Sequence, residues 1–571
     1  MFRWGLSSIT FSGGEVIPLN SGSVLILIGP NNGGKSRALR DIETFFTSPN
    51  SARAVVPSVT PVRDGTAESL LEWLQHQYPS RLDREGHRYF HTRAANLRVD
   101  RIEKIWQQGE ALPGAQAFLV HRLDTESRLT ITNRVTSIDP YSDQPQAYIH
   151  VLQANEGWRR KASEEVRAAF GVDVIINWGA GSQVGFHVGQ EPERGPDRDR
   201  VSEAYLNELN RLPRLDWEGD GIRSFVGGLL AALCGAHPLL MIDEPEAFLH
   251  PPQARRLAAA LARTAEALGR QLIIATHSAD VVRGALEESQ QVSVCRITRE
   301  TTADADLNHA SLLKSDQLAE LWSKPLLRSS AAFDGLFHEG VVVCEADADC
   351  RFYEAILRRM EVRGDIKRAA DLHFVHGAGT GQLATLARAY RSLDTRTAVL
   401  ADLDLLRNEA EIADVISALG ANFEDTQSLF RSVHAALSSS PPLTGFEDFL
   451  SEARATLDDS EKAGAVSAEK RRELQRLLEN AADWSEAKRY GITKLRGGAL
   501  RDAQKLLEEC AALGLFLVPV GELECWWPEG PAAKNEWFLP AIKKIVEDQD
   551  SLPEATDFMA RVCHSFGYQT T

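Results

Sequence analysis

The octapeptide Gly29-Pro30-Asn31-Asn32-Gly33-Gly34-Lys35-Ser36 constrains this chain more than any other segment. It fits GxxxxGK[ST], follows the apolar run Val24–Ile28 and precedes a helical pattern, which is the context of a phosphate-binding loop. The glycines let the backbone turn so that its N–H groups surround the β- and γ-phosphates of a nucleotide. Gly29, Asn31, Asn32, Gly33 and Gly34 are therefore candidate nucleotide contacts. Lys35 supplies a point charge there, and the Ser36 hydroxyl is a candidate Mg²⁺ ligand.

Three further apolar runs, Leu239–Ile242, Leu272–Ala275 and Val292–Cys295, read as buried parallel strands. With the Ala- and Arg-rich helical stretch Pro252–Leu268 they give the alternation of an α/β, doubly wound sheet. Asp243 and Glu244 close the second run, at the strand end where such sheets bind ligands. Asp243 is a candidate to hold Mg²⁺ through water, and Glu244 to orient the attacking water. His277, in Ala275-Thr276-His277-Ser278, is a candidate γ-phosphate contact. Gly221 and Ser224 lie in a helix start, Gly219–Phe225, whose free N–H groups suit an anion. The mixed, polar span of about 50–213 reads as an insertion, with Gly189–Arg200 as an exposed loop.

A second α/β series begins near Gly340. Its expected strands are Val341–Cys344, Leu372–Val375, Ala398–Leu400 and Leu515–Val520, with helices over Arg351–Met360 and Gln382–Ser392. Acids follow three of these strands: Glu345, Asp347 and Asp349; Asp402 and Asp404; Glu522 and Glu524. Strand alternation puts Asp402 and Asp404 on one side of the chain, with Leu403 opposite. Carboxylates gathered on one edge raise one another's pKa, and a divalent ion removes that cost. Hard oxygen ligands suit Mg²⁺ or Mn²⁺, and two such ions about 4 Å apart promote phosphodiester cleavage. The polar, helical segment of about 407–489 looks inserted.

Composition narrows the function. The chain has 571 residues, which at roughly 150 per domain predicts three or four domains, or two with large insertions. A net charge of -17 argues against a protein that coats nucleic acid by bulk charge. Seven cysteines without a CxxC pair fit neither a disulfide framework nor a zinc site, as in a cytoplasmic protein. No signal peptide is read at the N-terminus. The longest apolar stretch, Phe225–Ile242, is broken by Gly235, His237 and Pro238 and reads as a helix and a strand, so no membrane span is expected. Between Lys470 and Lys505 ten basic residues face five acidic ones, a candidate track for a phosphate backbone. Lys494 or Lys534 could stabilise transition-state charge, and Trp526 and Trp527 could stack on a base or pack in a core.

The run Asp243-Glu244-Pro245-Glu246-Ala247-Phe248-Leu249-His250-Pro251, with the phosphate loop upstream, resembles the RecF/SMC-like branch of ABC-type ATPase heads. That resemblance implies two heads enclosing two ATP molecules, with Gly221 and Ser224 of one facing the phosphate loop of the other, although the LSGGQ signature of transporters is missing. Glu345-x-x-x-Asp349, the Gly377, Gly379 and Gly381 turn and Asp402-x-Asp404 resemble a TOPRIM domain; Ala346 stands where that family usually has glycine. The match implies catalytic Glu345, Asp402 and Asp404, with Asp349 as a further metal ligand. Glu524 is the preferred additional ligand and Glu522 the less favoured one. An ATPase head (1–330) followed by TOPRIM (335–571) resembles the OLD (overcoming lysogenisation defect) family, which includes the nuclease component of the Gabija phage-defence system. The family implies an ATP-binding, metal-dependent endonuclease, acting on DNA in anti-phage defence, with ATP state gating the cut. It also implies a homodimer or larger homo-oligomer and a possible defence partner protein. Two other readings stand beside it: a nucleotide-switched scaffold holding a toxin, and a RecF-like repair ATPase, the latter disfavoured because no sustained heptads occupy 50–213.

Overall fold

The computed structural model describes residues 2–570 except 79, 93–94, 140–142, 144, 194–198, 302–305, 314–330, 378, 393, 439–449, 451–453, 455–483, 532–533 and 549–550. The chain divides into two compact units, Met1–Arg328 and Ser329–Thr571. No described helix is long and apolar enough to cross a membrane. All seven cysteines are unpaired, and only Cys525 is not buried.

In the first unit β1 (Arg3–Thr10) pairs antiparallel with β2 (Val16–Pro18) and with β4 (Ser58–Asp64), forming a small side sheet. The main sheet contains β3 (Val24–Ile28), β5 (Val120–Leu123), β6 (Leu239–Asp243), β7 (Gln271–Ala275), β8 (Val292–Thr301) and β9 (Asp306–Leu313). Their order is β9-β8-β3-β7-β6-β5, and every pair is parallel except β8 with β9. Every residue of β3 and β7 is buried, so both faces of these central strands must be apolar. The Gln271 side chain joins the sheets: it accepts from Leu6 N and donates to Leu6 O, each at 2.7 Å. The β1–β4 register slips between Leu6 and Ser8, where Leu6 turns to that amide.

The span of about 50–213 is not a free-standing insertion. It supplies β4 to the side sheet and β5 to the edge of the main sheet, in parallel register with β6. An edge strand is covered on fewer sides, and Val120-His121-Arg122-Leu123 has too little apolar pattern to be legible alone. The helices that matter for the site are α1 (Lys35–Thr47), α2 (Thr125–Ile131), α3 (Asp220–Cys234), α4 (Pro251–Ala267) and α5 (Ala279–Glu288). From Ser224 onward α3 is buried on every side, packed against α2 and α4.

The second unit has one parallel sheet of β10 (Gly340–Cys344), β11 (Leu372–His376), β12 (Arg396–Ala401) and β13 (Leu515–Leu517), in the order β11-β10-β12-β13. The first strand lies inside, with its two successors on opposite sides. Winding therefore reverses between β10 and β12, and a crevice opens there beyond their carboxyl ends. Val342, Cys344, Ala398, Leu400 and Phe516 alternate onto one face and pack with α6 (Asp347–Arg363) and the C-terminal helix Pro553–Ser565. The last strand stops at Leu517 rather than reaching Val520, because Pro519 has no N–H for the ladder. Of the segment 407–489, the structure describes α7 (Glu409–Ala418), α8 (Gln427–Ser438) and α9 (Ser485–Tyr490).

Helix packing in the first unit yields a direct test. A Cβ on Gly227 of α3 would stand 2.1 Å from the Arg128 carbonyl oxygen, whereas one on Gly228 would make ordinary contacts at 3.6 Å. Gly227→Ala is expected to lose about 3 kcal/mol by overpacking, and Gly228→Ala to be neutral or slightly stabilising, as read by urea unfolding.

Candidate nucleotide and metal sites

The phosphate loop spans the end of β3 and the start of α1. Gly29 has φ 133°, and a Cβ there would stand 2.2 Å from the Ile297 carbonyl oxygen, so the loop can enter beside β8 only with glycine. Asn308 Nδ2 donates to Gly33 O at 2.8 Å and holds the loop from β9. Lys35 Nζ donates to Gly29 O at 2.7 Å and Pro30 O at 2.9 Å. Burial pulls the Lys35 ammonium down to about 8, against the opposing pull of Glu244, Glu246 and Asp243. A buried cation held by carbonyls fits an incoming phosphate, which restores the lost solvation.

The register of β6 and β7 places Asp243 opposite Ala275, so the acid pair and the histidine loop leave the sheet side by side. Ser36 Oγ donates to Asp243 Oδ1 at 2.8 Å. Burial raises the Asp243 carboxyl above its ordinary value, and a divalent ion beside Ser36 and Asp243 fits that donor set. Glu244 turns into the left-handed region at φ 47°, and its Oε1 lies 3.6 Å from His277 Nε2. Burial, then the Lys35 charge, lowers the His277 imidazole. Glu246 accepts from Thr276 Oγ1 at 2.7 Å and from His277 N at 2.8 Å, so it fixes the histidine loop.

Arg128 of α2 locks the same corner from behind and is fully buried. It donates to Asp243 O at 2.5 Å, Glu244 O at 2.8 Å and Ser224 Oγ at 3.1 Å. Ser224 is thus turned inward and fully buried, which corrects its reading as an anion contact: its hydroxyl is taken up by a structural guanidinium. Gly221 is set against Phe248, whose carbonyl oxygen would lie 2.8 Å from a Cβ at that position.

In the second unit Glu345, Asp402 and Asp404 each offer a carboxylate oxygen, all within 4.8 Å of one another, in the crevice between β10 and β12. Glu345 Oε1 accepts from Asp402 N at 2.9 Å, which ties the two strand ends together. Burial raises Glu345 to about 7 and holds Asp402 well above the carboxylate range, with neighbouring acids adding to both. The Lys488 ammonium sits 2.8 Å from Asp404 Oδ2 and 3.2 Å from Glu522 Oε1, and these partners carry it up to about 12 despite burial. The oxygen-only donor set and its raised protonation fit a hard divalent ion such as Mg²⁺ or Mn²⁺.

The remaining predicted residues separate. Asp349 caps α6, its Oδ2 accepting from Ala346 N at 2.8 Å, and its charge reaches both Glu345 and Asp402. Asp347 pairs with Arg351 at 2.8 Å on the exposed face of α6. Glu524 lies in the short helix Leu523–Trp526, outside the trio, and Glu522 is the acid that shares Lys488 with it. Trp526 packs in the core, its indole donating to Tyr353 Oη at 3.1 Å. Lys470–Asp483 and the Lys534 side chain lie outside the described residues. Lys494 ends the short turn Gly491–Lys494. Sequence reading missed Arg128, Asn308 and Lys488 as individual site residues. Glu246 carried a signal, its place in Asp-Glu-Pro-Glu, whereas a lone arginine in a polar stretch carries none.

Two outcomes follow. Arg128→Leu leaves two buried carbonyls without their donor and is expected to lower stability by about 3 kcal/mol in urea unfolding. The raised carboxyls hold protons in the folded chain that the unfolded chain has released. Without divalent ions, stability is expected to be full below the unfolded value of 4.5 and to fall as pH rises through about 7. Mn²⁺ should therefore raise the melting temperature more at pH 8 than at pH 5.5, and Asp402→Asn should flatten the metal-free pH slope.

Comparison with known proteins finds partial similarities. The family model described as "AAA domain, putative AbiEii toxin, Type IV TA system" matches residues 133–283, which include α3, β6 and β7. The Old nuclease of Escherichia phage P2 is 28% identical over 225 residues, 38% of this chain. The matched segment spans 36% of that relative's length. Among solved structures, the SMC head domain from Thermotoga maritima aligns at 12% identity with TM-score 0.28, covering 55% of this chain and 98% of that one. The cbiO1 subunit of the Clostridium perfringens cbiONQ transporter complex aligns at 14% identity with TM-score 0.25, covering 52% and 84%. The chain is thus similar to the AAA-domain family model over residues 133–283 and to the Old nuclease over the 225 matched residues.

Proposed function

We propose that this protein is an ATP-hydrolysing, metal-dependent nuclease of the OLD type, cutting DNA in anti-phage defence, with the nucleotide state of the first unit gating the second. The observation that carries the reading is the convergence of Glu345, Asp402 and Asp404 at the switch point of the second sheet, on a chain whose first unit is a P-loop ATPase domain. At the phosphate loop, Lys35 neutralises phosphate charge, while the loop N–H groups orient it. Glu244, facing His277, positions the attacking water and accepts its proton. In the second unit the trio and its TOPRIM-like order suit phosphodiester hydrolysis. When bound there, Mg²⁺ or Mn²⁺ neutralises the clustered charge and supplies Lewis-acid activation. Asp402 and Glu345 hold the ion, with Asp404 completing the set. Lys488 bridges Asp404 and Glu522 and can turn its charge to a phosphate that enters. The resemblance to paired ATPase heads makes a homodimer or larger homo-oligomer the working assembly, open to a defence partner protein.

The test is cleavage of plasmid DNA and of RNA by purified full-length protein with Mg²⁺ or Mn²⁺. Asp402→Ala/Asp404→Ala is expected to abolish cutting while leaving ATP turnover within about twofold; equal cutting by wild type and variant would sink the nuclease reading. Glu244→Gln is expected to bind ATP normally and to lose at least roughly a hundredfold in turnover. If gating holds, that variant's DNA cleavage changes with ATP, and a Lys35→Ala chain no longer responds to it.

A further inference from the structure

A cavity of about 580 Å³ opens in the second unit with Asp404 in its wall. Its size is that of a small-ligand site. Asp404 and Arg407 belong to one 3₁₀ helix, Leu403–Arg407, and both line the cavity. Three residues make a full turn of such a helix, so positions three apart stand on one face. An acid of the metal trio and a guanidinium are thereby aimed at the same space.

The charges in that space are unequally engaged. Glu409 accepts from Gln427 Nε2 at 2.8 Å and from Arg431 Nη2 at 3.3 Å. Glu411 accepts from Asn408 Nδ2 at 3.0 Å. Arg407 is exposed and makes no ion pair among the described residues, although it stands in a strongly acidic neighbourhood. The far wall carries the half-buried His434 ring, held in place between the buried rings of Phe430 at 5.6 Å and Trp484 at 5.5 Å. A guanidinium without a carboxylate, a fixed ring and a metal-site acid in one cavity match the three parts of a nucleotide beside a cut bond. They match phosphate, base and scissile ester respectively.

We propose that this cavity holds one nucleotide of the substrate strand next to the bond being cut, with Arg407 on its phosphate and the half-buried His434 ring against its base. The inference rests on the nuclease reading above and adds to it a substrate-binding residue from the helical segment. Arg407 grips and aligns the strand and takes no part in activating water.

The experiment measures binding of fluorescein-labelled single-stranded DNA and RNA oligonucleotides to the full-length protein, with Ca²⁺ replacing Mg²⁺, by anisotropy across a salt series. Arg407→Ala is expected to weaken binding about tenfold and to shallow the slope of log K against log salt by about 0.7, one phosphate contact on a single strand. Arg407→Lys should restore most of the slope. With Mn²⁺, Arg407→Ala should raise KM and leave kcat within about threefold. Unchanged affinity and slope in Arg407→Ala, or a loss confined to kcat, would overturn the proposal, as would a wild type that binds neither oligonucleotide. Asp402→Ala separates the two claims: cutting that persists in it sinks the nuclease reading, while the binding series still judges the cavity.

Discussion

A carboxylate delivered to a half-buried strand end cannot stay ionised cheaply without a counter-charge, and the two main parallel sheets of this chain are built around that constraint. In the first unit β6 ends in Asp243, whose carboxyl is raised by burial and held by Ser36. In the second, Glu345 and Asp402 close neighbouring parallel strands and are raised further, since each adds to the other's burden. Parallel packing makes this unavoidable: strands covered on both faces must be apolar along their length, so polarity collects at the carboxyl edge. The positive partners differ in kind. Lys35 is itself buried and lowered, which suits it to a phosphate, whereas Lys488 is raised between two acids.

The nucleotide corner owes its geometry to groups that do not face the nucleotide. Glu244 occupies a left-handed conformation that few non-glycine residues tolerate, and Arg128 secures the carbonyls of Asp243 and Glu244 from the buried side. Glu246 performs the same service for the histidine loop through Thr276 and His277 N. Both are buried polar groups whose worth lies in the positions they impose on their neighbours.

Much of this was legible in the residues. The phosphate loop, the acid-ended strand Leu239–Asp243 and the histidine after Gln271–Ala275 each announce themselves by an apolar run that stops at a polar signal. The acids of the second series follow the same rule, and Asp402 and Asp404 share a side because Leu403 takes the other. What escaped has equally physical reasons. The edge strand Val120–Leu123 needs little apolar pattern, so a span that looked inserted supplies part of the main sheet. Ser224 sits at a helix start that looks suited to an anion, yet that helix is buried on every side from Ser224 onward, so the hydroxyl meets Arg128 instead.

By itself, then, the sequence determined which residue types stand at the strand ends, because burial dictates apolar runs and backbone sterics dictate glycine in the phosphate loop. Only the tertiary structure decided which of those ends converge. Strand order puts β12 rather than β11 on the side of β10 that opens the crevice to Glu345 and Asp402. Pairings across more than a hundred residues, such as Gln271 with Leu6 and Arg128 with Asp243, exist only once the layers have packed. Local pattern carries burial; partnership at a distance is a property of the folded chain.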